Sequence, residues 1–202
     1  MKLLIATRNR HKFQEISDIL RSPHLSFSSL HDWATPPEVI EDGATFELNA
    51  KKKAVTLARF SGHWTLADDS GLEVDALGGE PGVYSARYAG EPSDDAANNR
   101  KLLDTLAAHA NRHARFRCVI ALSDPLGETR SVCGTCEGTL LTAVRGQGGF
   151  GYDPLFVPSG YDRTFAELSA EIKNTISHRA KALSLAVNQW SCVFEHESKG
   201  WL

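Results

Sequence analysis

Two adjacent carboxylates, Asp68 and Asp69, open the stretch richest in reactive groups, LADDSGLEVDALGGEPGVYSARYAG over residues 66–90. Carboxylate oxygens suit a hard cation. The Ser70 hydroxyl follows at once, then the glycine-rich run Gly78 to Gly82, then an aromatic and basic segment from Tyr84 to Tyr88. Acids, hydroxyls, glycines and an arginine on one connection are what a metal-phosphate site requires. A short strand, Thr65 to Ala67, is predicted to end in the two acids. Strand side chains alternate between faces, so both acids cannot meet one ligand if the strand persists. One should coordinate a metal or handle a proton, and the other should hold the turn. Glu73 to Leu77 reads as a second short strand, and Gly78 to Gly82 as a turn stiffened by Pro81.

A second group of donors lies near the start. Lys2 to Ala6 reads as a strand that breaks at Thr7-Arg8-Asn9-Arg10-His11-Lys12. A helix follows, with Phe13, Ile16, Ile19 and Leu20 on one face. A strand end, a polar loop and a helix N-terminus form a natural anion site, to which Lys12 adds a full charge. The same letters also describe an ordinary capped turn. After a strand-like piece near Leu25 to Phe27, a helix is predicted from about Ala44 to Phe60, with Phe46, Ala50, Ala54 and Leu57 buried. Asn49 and Lys53 fall beside that stripe. Lys53 therefore either snorkels or binds an anion.

Composition narrows the function. The chain has 202 residues, 42% hydrophobic and 23% charged, with a net charge of −3. That fits one globular domain over residues 1–202, two lobes without an independent linker. There is no broad basic field, so nucleic acid is not expected as a partner. No stretch reads as a signal peptide or membrane span, and a cytoplasmic protein is expected. Cys118, Cys133, Cys136 and Cys192 are expected as reduced thiols. Cys133 and Cys136 form a lone C-x-x-C without a second ligand pair, read as two residues near a strand end.

Further along, Asp94 and Asp95 begin a helix to about His109, with Leu102, Leu103 and Leu106 inside. Arg115 to Leu122 and Thr129 to Cys136 read as a hairpin, with another strand expected over Gly138 to Val144. Residues 146–151, GQGGFG, match the letters of a dinucleotide fingerprint but lack the helix that must follow it. The glycines instead let a loop approach a ligand, with Phe150 or Tyr152 as a stacking surface. A last helix is expected from an N-cap at Ser177, with Ala180, Leu183, Val187 and Trp190 inside. His178 and Arg179 in its first turn oppose the helix dipole, which points to a functional reason for them. Glu195 to Leu202 read as peripheral.

The unusual residues together suit a nucleoside triphosphate: lysines and hydroxyls for polyphosphate, acids for Mg²⁺, and an aromatic with Asp, His and Arg for a base. No Walker A sequence is present. The segments ATRNRHKFQE, EDGATFELNAKKKA, LADDSGLEVDALGGEPGVYSARYAG, GGFGYDPLFVP and KNTISHRAKAL, in this order and spacing, closely resemble the inosine triphosphate pyrophosphatase family. These are the non-standard purine NTP pyrophosphatases, including the bacterial RdgB type. The resemblance runs from Leu4 to about Leu185. It implies an elongated α/β fold with a mixed central sheet, flanking helices and two lobes around a cleft. It implies hydrolysis of ITP, dITP or XTP between the α and β phosphates, with Mg²⁺, by a homodimer.

Carried over by position, the resemblance places the phosphate loop on Thr7, Arg8, Asn9, Arg10, His11 and Lys12, and a phosphate contact on Lys53. It places metal ligands on Glu41 and Asp69, with Asp69 also the proton acceptor and Ser70 beside it on the substrate. Phe150, Gly151, Tyr152 and Asp153 match the base-binding segment, and Lys173, His178 and Arg179 the remaining substrate contacts. Arg8, Arg10 and His11 make this loop bulkier and more basic than family members with glycine there. The expected chemistry is metal-assisted attack of water at the α-phosphorus, with Lys12, Lys53 and Lys173 stabilising phosphates and leaving group, and Asp68 supporting the turn. Arg179 or His178 is expected to meet the base O6. Two other readings remain, a nucleotide-binding regulatory module and a Maf-like pyrophosphatase for pyrimidine or modified nucleotides.

Overall fold

The computed structural model describes residues 1–195. The expectation for Glu195 to Leu202 therefore falls, beyond Glu195, outside the described residues. The architecture is mixed α/β, as expected. The strands are β1 (Lys2–Ile5), β2 (Ser26–Ser29), β3 (Trp64–Val74), β4 (His113–Ser123), β5 (Thr129–Leu140) and β6 (Phe156–Pro158). They form a six-stranded sheet in the order β2-β1-β3-β4-β5-β6. β1 runs parallel to both β2 and β3, whereas β5 and β6 are antiparallel. The helices are α1 (Arg10–Ile19), α2 (Phe46–Ser61), α3 (Asp95–Thr105), α4 (Ala170–Ile176), α5 (His178–Gln189) and α6 (Ser191–Glu195).

The described chain gathers into two units. The first comprises Met1–Asp69, Cys118–Gly134 and the segment from Arg179 onward; the second comprises Ser70–Arg117 and Thr135–His178. Each has its own apolar core. Leu3, Ile5, Ile16, Leu66, Ile120, Leu183 and Trp190 anchor the first. Leu72, Leu102, Phe116, Leu155, Phe156 and Phe165 anchor the second. The period-2 burial of β4 from His113 to Cys118, beyond which every residue of the strand is buried, and the i, i+4 burial of α2 follow from their apolar spacing. Phe46, Ala50, Ala54 and Leu57 are buried as predicted, joined by Asn49.

Three expectations about the elements change. β3 does not stop at the acids; it continues from Trp64 through Asp68, Asp69 and Gly71 to Val74. Gly71 permits this close passage, because a Cβ there would lie 2.4 Å from Ser85 Oγ and 2.5 Å from the Gly82 carbonyl. β5 runs unbroken to Leu140, so no separate strand begins at Gly138. The sequence from 170 to 189 forms two helices, α4 capped by Ser169 and α5 from His178, with Ser177 extended between them. The buried face of α5 is Ala182, Leu183 and Ala186, then Trp190 just beyond it, while Val187 is exposed. Cys133 is exposed and Cys136 buried on β5. Residues three apart on a strand point to opposite faces, which is incompatible with a shared metal.

Candidate active site

In the first unit the alternation of β3 separates the two acids as anticipated. Asp68 projects, fully buried itself, into an ion cluster whose outer members Lys12 and Glu15 are partly exposed. Its Oδ2 accepts from Arg179 Nε at 3.2 Å and from the Cys118 thiol at 3.0 Å. Its Oδ1 pairs with the Lys12 ammonium from α1. Arg179 also pairs through Nη1 with Glu15, one turn beyond Lys12 on the same helix. Burial by itself would raise the Asp68 pKa, but the charges of Arg179 and Lys12 outweigh it and hold the carboxyl well below the usual range. The Lys12 ammonium is also buried, which disfavours its charge; Asp68 more than compensates and raises its pKa. Burial, then the neighbouring Asp68 charge, pushes the Cys118 thiol upward, so it is a donor.

Asp69 faces other partners. It is only 6% exposed. Burial is the largest influence on it and raises its pKa to about 6; Lys53 and Lys12 pull the other way, the Glu41 charge adds to the rise, and an Asn49 side-chain hydrogen bond opposes it. Lys53, from α2, pairs with Glu41, so it neither snorkels nor stands as a free cation. Asn49 also accepts from Gly43 N at 2.7 Å, fastening the Glu41-Asp42-Gly43 segment to α2. A Cβ on Gly43 would lie 2.6 Å from Asn49 Oδ1.

Among the described residues, no three His, Cys, Asp or Glu side chains gather as a metal centre. Asp69 and Glu41 are nonetheless two hard oxygen donors, near enough for the Glu41 charge to raise the proton affinity of Asp69. That set fits Mg²⁺, which takes one or two carboxylates and draws its other ligands from waters and substrate phosphates.

The loop after β1 carries a capped turn. Asn9 caps α1, and its Oδ1 accepts from His11 N at 2.9 Å and Lys12 N at 3.1 Å. Thr7 Oγ1 accepts from Asn9 N at 3.1 Å. Two of the first helix donors are therefore taken by the cap. Arg8, Arg10 and His11 are exposed. Arg8 and Arg10 line a pocket of 340 Å³ that Ser29 and His31 close from β2 and the turn after it.

The second unit holds the remaining candidates. Asp153 is buried; its Oδ2 accepts from Lys173 Nζ at 2.5 Å and from Phe150 N at 3.0 Å. The Lys173 ammonium lies 4.7 Å from the Phe150 ring centre and 5.6 Å from that of Phe165. Lys173 is thus held by Asp153 and the two phenyl rings of the second unit. Gly149 has φ +72°, and a Cβ there would come within 2.0 Å of Asp153 Oδ2. Tyr152 is 4% exposed in the apolar core, with its hydroxyl donating to the Ser85 carbonyl at 2.8 Å. A stacking surface needs an accessible ring, so the half-buried Phe150 is the candidate and the buried Tyr152 is not. His178 is buried and stacks on Phe116, 4.7 Å between ring centres at 14°. Ser70 is half-buried on β3.

Arg179, expected with His178 as the alternative contact for the base O6, lies in the first unit. Its side chain is fully buried and holds Asp68 and Glu15. The cation that opposes the dipole of α5 is offset by those two carboxylates. Glu15 escaped the sequence reading, and Asn49 and Cys118 were given no role in the site. Glu15 sits three residues after Lys12, a spacing that puts both on one helix face. Cys118 shares its face of β4 with Phe116 and Ile120, two residues to either side.

A family model described as the Ham1 family matches residues 3–189. The chain belongs to the Ham1 family. A dITP/XTP pyrophosphatase from Desulforamulus reducens is 51% identical over 199 residues, covering 98% of this chain and 99% of that protein. One from Syntrophobacter fumaroxidans is 54% identical over 181 residues, covering 90% and 78%. The solved structure of the Staphylococcus aureus Ham1 protein is 41% identical with a TM-score of 0.85, covering 95% of this chain and 98% of that one. Family and fold class thus agree with the resemblance. No helix among the described residues is long and apolar enough to cross a membrane.

Proposed function

We propose that this Ham1-family hydrolase cleaves non-standard purine nucleoside triphosphates (ITP, dITP, XTP) to the monophosphate and pyrophosphate, with Mg²⁺. In this role residues 1–202 act as one catalytic domain that removes deaminated purines from the nucleotide pool. The observation that carries the reading is Asp69: buried, on the strand face opposite the ion cluster, with Lys53 and Glu41 acting on it. Relatives about half identical over nearly the whole chain, named dITP/XTP pyrophosphatases, support it. The family resemblance also supports a cytoplasmic homodimer.

Glu41 and Asp69 would hold the cation, which when bound supplies charge neutralisation on phosphate oxygens. Asp69 accepts a proton from the water that attacks the α-phosphorus. Lys53 exchanges Glu41 for a phosphate, and Lys12, steadied by Asp68, neutralises charge that develops on the departing pyrophosphate. Asp68 positions and does not react. In the base segment, Phe150 stacks on the purine. Hypoxanthine and xanthine present an N1–H donor beside the O6 acceptor. The Asp153–Lys173 pair offers an acceptor beside a donor, complementary to that edge. Adenine reverses both positions, and a mismatch of this kind can be rejected by about 10⁴-fold.

The test is a panel of NTPs with Mg²⁺, scored for pyrophosphate and inorganic phosphate as first product. Pyrophosphate from ITP, dITP and XTP, with ATP and GTP far slower, is expected. Phosphate as first product would overturn the reading.

A further inference from the structure

Helix α3 does more than close the core of the second unit with Leu102 and Leu106. Asp95 and Asn99 lie one turn apart on it, and both meet the backbone of Gly151. Gly151 N donates to Asp95 Oδ2 at 2.6 Å. Asn99 Nδ2 donates to the Gly151 carbonyl at 2.9 Å. One helix therefore takes both polar groups of one residue. Gly151 sits at φ +61° with no side chain to pack, so its position rests on these two bonds.

The orientation of Asn99 is fixed. Its Nδ2 also donates to the Asp95 carbonyl at 2.8 Å, so turning the amide over would set its oxygen against two carbonyls. Asn99 is 6% exposed, and its Oδ1 has no partner among the described residues. A buried unsatisfied oxygen is destabilising. Keeping asparagine here despite that cost points to a role in placing Gly151. Gly151 stands between Phe150, whose ring meets Lys173, and Tyr152-Asp153.

We propose that Asp95 and Asn99 are positioning residues for base selection, clamping Gly151 so that the Phe150 ring and the Asp153 carboxylate are held in register. This rests on the reading of Phe150 to Asp153 as the base segment. Neither residue touches the reacting phosphates. Their loss therefore affects base binding and discrimination and spares the chemical step.

The test uses Asn99→Leu, which keeps size and removes the donor, and Asp95→Ala, with Asp95→Asn as the conservative control that retains an acceptor. Steady-state kinetics are measured with ITP and ATP, alongside amide hydrogen exchange of the 146–153 segment. Expected for Asn99→Leu and Asp95→Ala is a KM for ITP raised about tenfold, the effect of one such bond. The kcat stays within about twofold, the ITP-to-ATP ratio of kcat/KM falls, and exchange across 146–153 quickens. Asp95→Asn recovers most of each change. Unchanged KM, ratio and exchange in folded variants would overturn the proposal, as would a fall in kcat at constant KM. Asp95 is exposed, so its variants test the clamp even if Asn99→Leu fails to fold. If the wild type does not turn over ITP, the pyrophosphatase reading has failed, and exchange still reports on the clamp.

Discussion

Replacing Arg179 by methionine probes the ion cluster beneath the site. The guanidinium is fully buried, and Asp68 beside it is equally enclosed. Removing it leaves Asp68 with Lys12 and Cys118, and Glu15 without its cation. Breaking a buried pair by deleting one partner costs about 3–5 kcal/mol. For a chain of 202 residues each kcal/mol shifts Tm by about 2–4 °C, so a fall of roughly 6–20 °C is expected at pH 7. The sign of the pH dependence follows from Asp68. Its folded pKa is held well below the unfolded value, so its stabilising contribution is present above about pH 4 and lost as pH falls through the folded pKa. In Arg179→Met the main opposing charge is gone and burial drives that pKa upward. The variant therefore tolerates acid better than the wild type, and the Tm gap is widest near pH 7 and narrows toward pH 4. Scanning calorimetry without nucleotide, from pH 4 to 8 at fixed salt, measures it. Asp68→Asn combined with Arg179→Met should lose less than the two single losses added, because the partners are coupled. A gap below about 2 °C at pH 7, or one that widens on acidification, would refute this account.

Asp69→Asn should abolish ITP turnover at saturating Mg²⁺; near-normal turnover would remove Asp69 from the mechanism. The same change should stabilise the nucleotide-free, Mg²⁺-free protein. With a folded pKa raised to about 6, ionising Asp69 opposes folding by about 3 kcal/mol, a penalty absent below about pH 4 and complete above pH 6. The Tm advantage of Asp69→Asn should therefore grow from pH 4 to pH 7, and a flat profile would contradict the buried assignment. Gly149→Ala drives a methyl into Asp153 and strains a positive φ, so ITP turnover should fall at least about tenfold and Tm should drop, measured on the purified variant. In the native protein a thiol reagent should titrate the exposed Cys133 and Cys192 promptly, and Cys118 and Cys136 only on unfolding; fast reaction of Cys118 would show the cluster to be open.

Much of the site was legible because local spacing constrains it. Asp68 and Asp69 had to diverge once they lay on a strand, and Asn49 and Lys53 had to share the edge of the α2 stripe. The rejection of a dinucleotide loop at residues 146–151 held because that segment leads to β6 and not to a helix. What misled was continuation. The acids read as a strand end because turn-formers follow, yet β3 passes straight through them, its place in the sheet outweighing local preference. Likewise Val187 fits the apolar period of α5, but the buried stripe runs through Ala182, Leu183 and Ala186.

Residue types and order by themselves determined the family, the fold class and the list of acids and bases from which the chemistry is drawn. Tertiary structure alone decided how the surroundings of Asp68 and Asp69 differ. Asp68 meets Arg179, which lies 111 residues later, and Lys12 from α1, and is thereby kept ionised. At Asp69 burial outweighs the pull of Lys53 and Lys12 and raises the pKa to about 6. Two identical side chains one peptide apart differ because electrostatic environment depends on distance in space, which no local spacing encodes.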